Sequence, residues 1–569
     1  MTDRKKKSFG NFGAKKEIYL QKEKQMGQVN QVSAISSSSN SLLSKDIVNI
    51  QEAASLASEY LKKNVSIANI SYLIQYGKIT KYVEDGKIAI DKSELLNYYN
   101  SIGSREAEWK SKLGDDLNWA LSFDNIKESE TTKHVHRLHP YKGKYIPQLV
   151  EYFLDNHTDK FKKDTYFQPG DVVLDPFAGS GTTLVEANEL GMHSIGIDIS
   201  AFNALIANCK LMQYDFDNLQ REIHRITNLL KSFVADSKIL VFDKELTELL
   251  SLYNKKYFPT PEYKRKVYTK EIDSKTYGEE HEKAFLPIFN ELLEKYNIKL
   301  QQPHANTFLS KWYIKHVHDE IKLVYNAIQD VQNISTKKIL YVILSRTMRS
   351  CRATKHQDLG TLIEPTFIPY YCRKHYKICK PLFSMLKWWE KYTIDTLNRL
   401  KTFDELRTPT YQYCITGDSR VVDIFSTVSR IDEEFGKILT RQKIKGIFSS
   451  PPYVGLIDYH EQHAYAYELF GFTRHDNSEI GPLFKGQKLE ARCSYVEGIS
   501  DVLNNCKKYL VDDYDVFLVA NDKYNLYPEI AEKAGMIIVD QFKRPVLNRT
   551  EKDKNAFAEI IFHLKDKKI

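Results

Sequence analysis

Residues 171–200 read DVVLDPFAGSGTTLVEANELGMHSIGIDIS, the strongest structural signal in the chain. Val172 to Leu174 form a short apolar run of the kind that makes a buried strand. Gly179-Ser180-Gly181 is a tight turn, Thr182 to Leu190 has helical character, and Ser194 to Ile197 form a second strand that ends at Asp198. This is a β-α-β unit with a carboxylate about 20 residues past the glycine turn, a geometry that binds an adenosine-bearing ligand. The glycines let the backbone approach the ligand, and the Asp198 carboxylate is placed to take both ribose hydroxyls. A phosphate-binding P-loop needs Lys after its second Gly, where this chain has Gly181-Thr182-Thr183, and Asp175-Pro176-Phe177-Ala178-Gly179-Ser180-Gly181 does not have the dinucleotide spacing G-x-G-x-x-G.

Working outward, Tyr413 to Arg420 (YCITGDSR) reads as a strand and a turn. Lys445 to Tyr453 (KGIFSSPPY) reads as a strand running into two prolines and an aromatic residue. Downstream, Asp515 to Ala520, Met536 to Phe542 and Ala558 to His563 have strand character, with a helix at Pro528 to Ala534 and a basic loop, Lys543 to Asn555, holding Lys543, Arg544 and Arg549. Ser450-Pro451-Pro452-Tyr453 suits one chemistry in particular. An exocyclic amine conjugated to its ring is a poor nucleophile until acceptors draw its lone pair out of conjugation. A proline-locked turn aims the Pro451 carbonyl rigidly, the Ser450 hydroxyl is a second acceptor, and Tyr453 offers a flat face to an unstacked base.

DPFAGSGTT followed by SPPY resembles motifs I and IV of the DNA amino-methyltransferases of the N4/N6 family, in the SPPY form associated with N4-cytosine. His136 to Phe153 (HRLHPYKGKYIPQLVEYF) is similar to motif X of that family and Tyr413 to Arg420 to motif III. The resemblance implies S-adenosylmethionine as cofactor, with Asp175, Phe177, Gly179 and Gly181 lining its methionine half, Pro176 and Thr182 also in contact with it, Asp198 at the ribose and Asp418 accepting from the adenine amino group. It implies Ser450, Pro451, Pro452 and Tyr453 as the catalytic set, and double-stranded DNA as substrate, with a separately encoded restriction endonuclease as the associated partner. A C5-cytosine enzyme is excluded, because no cysteine follows a proline anywhere in the chain. The rival readings are an adenine-N6 enzyme, an RNA guanine-N2 methyltransferase, whose DPFCGSGT motif is similar, and a non-catalytic DNA-binding regulator.

The expected fold class is α/β, a Rossmann-like sheet with a terminal antiparallel hairpin. At 569 residues several folding units are required. Residues 1–45 read as a basic, disordered arm. Residues 46–103 (QEAASLASEYL, a second helix from Ser66 to Tyr76, then strand, turn and strand) resemble an excisionase-like or MerR-like winged helix. Residues 104–215 and 411–569 are the two parts of the catalytic domain, and 216–410 is a mainly helical insertion, with helices at Lys311 to Val331 and Leu382 to Leu400. The net charge of +8 is 82 Lys/Arg against 74 Asp/Glu. The arm supplies +6 of it, nine basic against three acidic residues, and residues 331–380 carry ten against two, or +8. The remaining chain is therefore slightly acidic. In the insertion, Arg346, Arg349, Arg352, Lys355, Arg373 and Lys374 are the expected DNA-phosphate contacts.

The seven cysteines include no C-x-x-C pair, which fits neither a disulfide framework nor a zinc ribbon. His134, His136 and His139 lack a nearby acidic or thiol partner in sequence, so no metal site is expected. The chain has neither a signal-peptide core nor an apolar stretch long enough for a bilayer, which points to a cytoplasmic, nucleoid-associated protein of a prokaryote.

Overall fold

The structure is a computed structural model that describes residues 46–546 and 557–567, apart from 63, 85, 114–115, 124–125, 127–128, 142, 304–305, 360–361 and 457. The arm of residues 1–45 and the basic residue Arg549 lie outside the described residues.

The N-terminal unit begins with strand β1 (Ile47–Asn49) and helix Ile50–Leu61, whose start is fixed by a capping box between Asn49 and Glu52. Helix Ile67–Gln75 follows, capped by Ser66, then β2 (Tyr82–Glu84), β3 (Lys87–Asp91) and helix Lys92–Leu113. The three strands pair antiparallel in the order β1-β3-β2 over a small core that includes Ala53, Ala57, Ile70, Leu73 and Ile90.

The main sheet opens with β4 (Val172–Asp175) and β5 (His193–Asp198). The insertion contributes a two-stranded hairpin, β6 (Tyr370–Cys372) and β7 (Lys377–Cys379). The main sheet resumes with β8 (Gln412–Thr416), β9 (Ile444–Ser449), β10 (Leu510–Ala520), β11 (Met536–Pro545) and β12 (Ala558–Asp566). Seven strands lie in the order β11-β12-β10-β9-β4-β5-β8, parallel from β10 to β8, with β12 antiparallel to both of its neighbours. The strand order reverses between β4 and β9, so a ligand crevice is expected at their carboxyl ends.

Alternation along these strands explains their unbroken apolar runs. Val172 and Leu174 face one core with Ile447, Val516 and Leu518, against helices Ile424–Ile431 and Leu489–Lys507. Val173 faces the other with Phe448, Phe517 and Phe153, against helix Pro147–Leu154. A parallel sheet covered on both faces has no polar side to offer water.

The segment 216–410 is mainly helical, as expected, but it does not stand apart. Its buried Leu230, Phe242, Val324, Leu340 and Trp389 belong to one continuous apolar cluster with Leu184, Val185 and Phe202 of the sheet-flanking helices. Its two ends are pinned together as well: Arg407, on the return, donates to the carbonyls of Leu211 (2.8 Å) and Met212 (3.1 Å), where the chain departs. The expected helix over Lys311 to Val331 is two, Phe308–Trp312 and Lys315–Gln329, because Tyr313 adopts an extended conformation between them. Lys543 and Arg544 belong to β11 rather than to a loop, Lys543 pairing with Asp116 and Arg544 being buried. No helix among the described residues is long and apolar enough to cross a membrane.

Candidate functional site

The carboxyl ends of β4, β5 and β9 converge on a cleft of about 820 Å³, open solvent at its mouth included. The glycine turn forms its floor. Gly179 has φ +49°, a conformation few side chains adopt, and a Cβ there would stand 3.0 Å from the Tyr141 ring. Its N–H donates to Asp198 Oδ2 over 2.9 Å. Gly181, at φ +75°, caps helix Thr182–Glu189 and lies against Ala207, whose Cβ would be 2.8 Å from an added Cβ.

Asp198 ends β5 facing the cleft. Burial pushes its carboxyl up to about 7, against the opposing pull of donors from Ser200, Asn203 and Gly179. Ser200, which caps helix Ala201–Leu211, and the Asn203 amide both donate to Oδ1, at 2.8 and 3.2 Å. Asp418 lies across the cleft in the turn after β8. Its carboxylate is gripped by Arg420, whose Nε is 2.9 Å from Oδ1, and this pairing holds it below the usual carboxylate range despite burial.

Pro176, Phe177, Gly179, Thr182, Asp198 and Asp418 line the cleft, together with Ser450 and Pro452. Asp175 and Gly181 do not. Asp175 is 1% exposed and its carboxylate is committed inside the protein, accepting from Ser449 Oγ (2.6 Å), Tyr145 OH (3.2 Å) and the Phe177 N–H (3.2 Å). It is a brace between two strands, which corrects the expectation that it faces the ligand.

The register Val173↔Gly446 and Leu174↔Ile447 sets β9 beside β4, so that Ser450 emerges next to the glycine turn. Ser450 Oγ donates to the Val519 carbonyl over 3.2 Å. A hydroxyl that donates there keeps its oxygen lone pairs available as acceptors. Tyr453 is turned toward the terminal hairpin and donates to Glu559 Oε1 over 2.9 Å; burial and then the Glu559 charge push its phenol well above the usual range. Pro451 is buried, and neither it nor Tyr453 is among the residues that line the cleft.

Several cleft residues were not singled out in the sequence: Tyr141, Lys144, Tyr145, Asn203 and Glu479. Lys144 donates to the His136 carbonyl (2.7 Å), and burial, then Arg137 and Arg399, push it down to about 8. The first three fall within the motif X-like segment, so that segment was the available signal; Asn203 lies in the first turn of the helix that follows Asp198. The same segment places His134 and His136 against acids remote in sequence, His136 Nε2 being 2.7 Å from Glu186 Oε1 and His134 Nε2 2.9 Å from Glu189 Oε1. The acidic partners missing from the local sequence are thus supplied by the helix after the glycine turn, and Lys133 already brings a cation to both. His139 lies apart, 2.9 Å from Ser345 Oγ.

The six basic candidates of the insertion divide by environment. Arg346 is buried, bonded to Asp395 (2.6 Å) and laid over the Tyr392 ring. Arg352 is buried too, donating to the carbonyls of Arg349 (3.1 Å) and Leu359 (2.9 Å). Both guanidinium groups are spent on internal partners, which corrects the expectation that they face phosphate. Arg349 and Lys355 are half-buried, whereas Arg373 and Lys374 are exposed at the tip of the β6–β7 hairpin.

The cleft fits an adenosine-bearing sulfonium ligand: acceptor carboxylates for hydroxyl and amino donors, a backbone cradle without side chains, and the apolar walls of Phe177, Ile199, Ile480 and Val502. A DNA methylase family profile matches residues 8–208. The chain is 47% identical over 530 residues to the type II methyltransferase M.MjaII of Methanocaldococcus jannaschii, an alignment that covers 92% of this chain and 97% of that one. More local similarity extends to the type II methyltransferases M.MvaI of Kocuria varians, 31% over 128 residues (22% of this chain, 26% of the relative), and M.BsoBI of Geobacillus stearothermophilus, 30% over 183 residues (31% of each).

Proposed function

The chain belongs to the type II methyltransferases of the DNA methylase family, and on that premise we propose that it methylates the exocyclic N4 amine of a cytosine flipped out of duplex DNA. S-adenosylmethionine is the methyl donor and supplies, when bound, an electrophilic methyl on its sulfonium. The Asp198 carboxylate accepts from the ribose hydroxyls, Asp418 from the adenine amino group, and the backbone at Gly179 allows the methionine half to lie close. Ser450 Oγ and the Pro451 carbonyl accept hydrogen bonds from the target amine, which localises its lone pair for direct attack without a covalent enzyme intermediate. The base stacks on Tyr453, whose hydroxyl is fixed by Glu559.

The observation that carries this reading is Ser450: its hydroxyl hydrogen is given to Val519, so an acceptor, and no donor, meets the incoming amine on the cleft shared with Asp198. The SPPY form favours cytosine-N4 over adenine-N6. For residues 46–103, the helix pair and three-stranded sheet support a winged-helix reading in which Ile67–Gln75 approaches DNA; its exposed Ile67, Asn69, Tyr72 and Gln75 carry no charge, so base reading would rest on polar and apolar contacts. The exposed Arg373 and Lys374 are the insertion's proposed phosphate contacts, and a cognate restriction endonuclease in a prokaryotic cytoplasm is the proposed setting. Nucleoside mass spectrometry and single-molecule sequencing of DNA from cells expressing the protein test the reading. N4-methylcytosine at one recurrent sequence supports it, N6-methyladenine reassigns the base, and transfer to RNA but not DNA overturns it.

A further inference from the structure

Outside the cleft, one cluster of metal-ligating side chains stands in the insertion. Cys372 ends β6, His375 lies in the hairpin turn, Cys379 ends β7, and His356 reaches over from the loop after helix Ile334–Cys351. One ligand atom from each lies within 4.8 Å of all the others. Three of the separations are tighter: Cys372 Sγ is 3.7 Å from His356 Nδ1 and 3.4 Å from His375 Nδ1, and Cys379 Sγ is 3.5 Å from His375 Nδ1. A tetrahedral ion with bonds of about 2.3 Å to sulfur and about 2.05 Å to nitrogen spaces those ligands about 3.5 Å apart, and the three distances bracket that value.

We propose that His356, Cys372, His375 and Cys379 bind one zinc ion as a closed structural site, stapling the β6–β7 hairpin to the loop that follows helix Ile334–Cys351. Two thiolates and two imidazoles in tetrahedral array select zinc among the common divalent ions. Cys372 is fully buried and Cys379 is 8% exposed, so the four side chains close the coordination sphere and leave no open position for chemistry. The surroundings are arranged to match. Tyr370 OH accepts from the His356 backbone N–H (2.9 Å), which holds that loop against the cluster; it also stands 2.8 Å from the ring Nδ1, a contact that the ion would replace. The turn is bonded to itself through the N–H groups of His375 and Tyr376, both donating to the Cys372 carbonyl at 3.1 and 2.7 Å.

The sequence signature is C-x2-H-x3-C with a histidine well upstream. Searching for paired cysteines passes over it, because each half of the hairpin supplies one sulfur and the turn supplies the nitrogen. The consequence for the fold is local: Arg373 and Lys374, exposed between two ligands, sit on a tip whose position the ion would fix.

Full-length protein purified without chelator should contain about one zinc per chain by plasma mass spectrometry. Cobalt exchanged into it should show tetrahedral d–d bands together with a thiolate charge-transfer band, which the sulfur-free His134, His136 and Glu189 cluster cannot give. Cys372→Ser and His375→Ala should lose the metal and the band, and Cys493→Ser, at an exposed thiol, should keep both. Wild-type protein without zinc and without the charge-transfer band on cobalt addition overturns the proposal even if the ligand variants fail to fold, as does peptide mapping that finds Cys372 and Cys379 joined in a disulfide.

Discussion

Ser449 donates its hydroxyl hydrogen to Asp175 Oδ1 over 2.6 Å, with both residues almost wholly buried. Asp175 ends the strand that leads into the glycine turn and Ser449 the strand that leads into Ser450, so this bond ties the glycine turn to Ser450. Burial raises the Asp175 carboxyl, while Ser449 foremost among its donors pulls it back.

Ser449→Ala should therefore affect two quantities at once. Leaving a buried acceptor one partner short costs about 1–3 kcal/mol, readable as a lower urea midpoint. The single-turnover methylation rate should fall with it, since Ser450 is the next residue. A variant equal to wild type in both midpoint and rate would remove this bond from the account.

With Asp198 as the proposed ribose acceptor, cofactor affinity should depend on pH. Its carboxyl titrates at about 7 in the free protein, so it is ionised above that pH and protonated below it. The ionised form is the one that accepts from ribose hydroxyls, and affinity should weaken by up to about tenfold per unit as pH falls below 7. Calorimetric titration of S-adenosylmethionine at pH 8 and pH 6 measures this. Asp198→Asn should bind weakly at both values, and a wild-type slope no steeper than the variant's would sink the assignment.

Gly181→Ala forces a left-handed backbone on a residue with a Cβ, at a point where that atom would stand 2.8 Å from Ala207 Cβ. A cost of about 1–3 kcal/mol is expected, visible in the denaturation midpoint of the protein without cofactor. Full stability would mean that the turn relaxes freely.

Arg373 and Lys374 differ from Arg346 in the kind of loss they should cause. Reversing the charge of either exposed residue should weaken DNA binding and reduce the slope of log affinity against log salt by about one each, with the unfolding midpoint unchanged. Arg346→Ala breaks the buried bond to Asp395 and should lower the midpoint first. Fluorescence anisotropy over a salt series, beside urea melts, separates the two; unchanged slopes in both exposed variants would exclude the hairpin tip from the DNA contact.

Much of this architecture was legible in local sequence because it depends on local physics. The apolar runs at Val172, Ile447 and Val516, the glycine turn and the two prolines after β9 each specify a strand or a turn within a few residues, and their order along the chain yields the sheet. Environment is a property of the folded chain. The β-α-β segment of residues 171–200 marks Asp175 and Asp198 alike, yet register across β4 and β9 turns Asp175 onto Ser449 while Asp198 keeps the cleft. A run of arginines reads as one basic surface, but the helix period buries Arg346 and leads Arg352 back to backbone carbonyls, leaving the outward charge to Arg373 and Lys374. The acids facing His134 and His136, and the imidazole of His356 beside two thiols, come from segments the chain brings together only when folded. Residue type and spacing fixed which chemistry was present; side-chain direction and long-range packing selected which groups share a site, since those depend on neighbours remote in the chain.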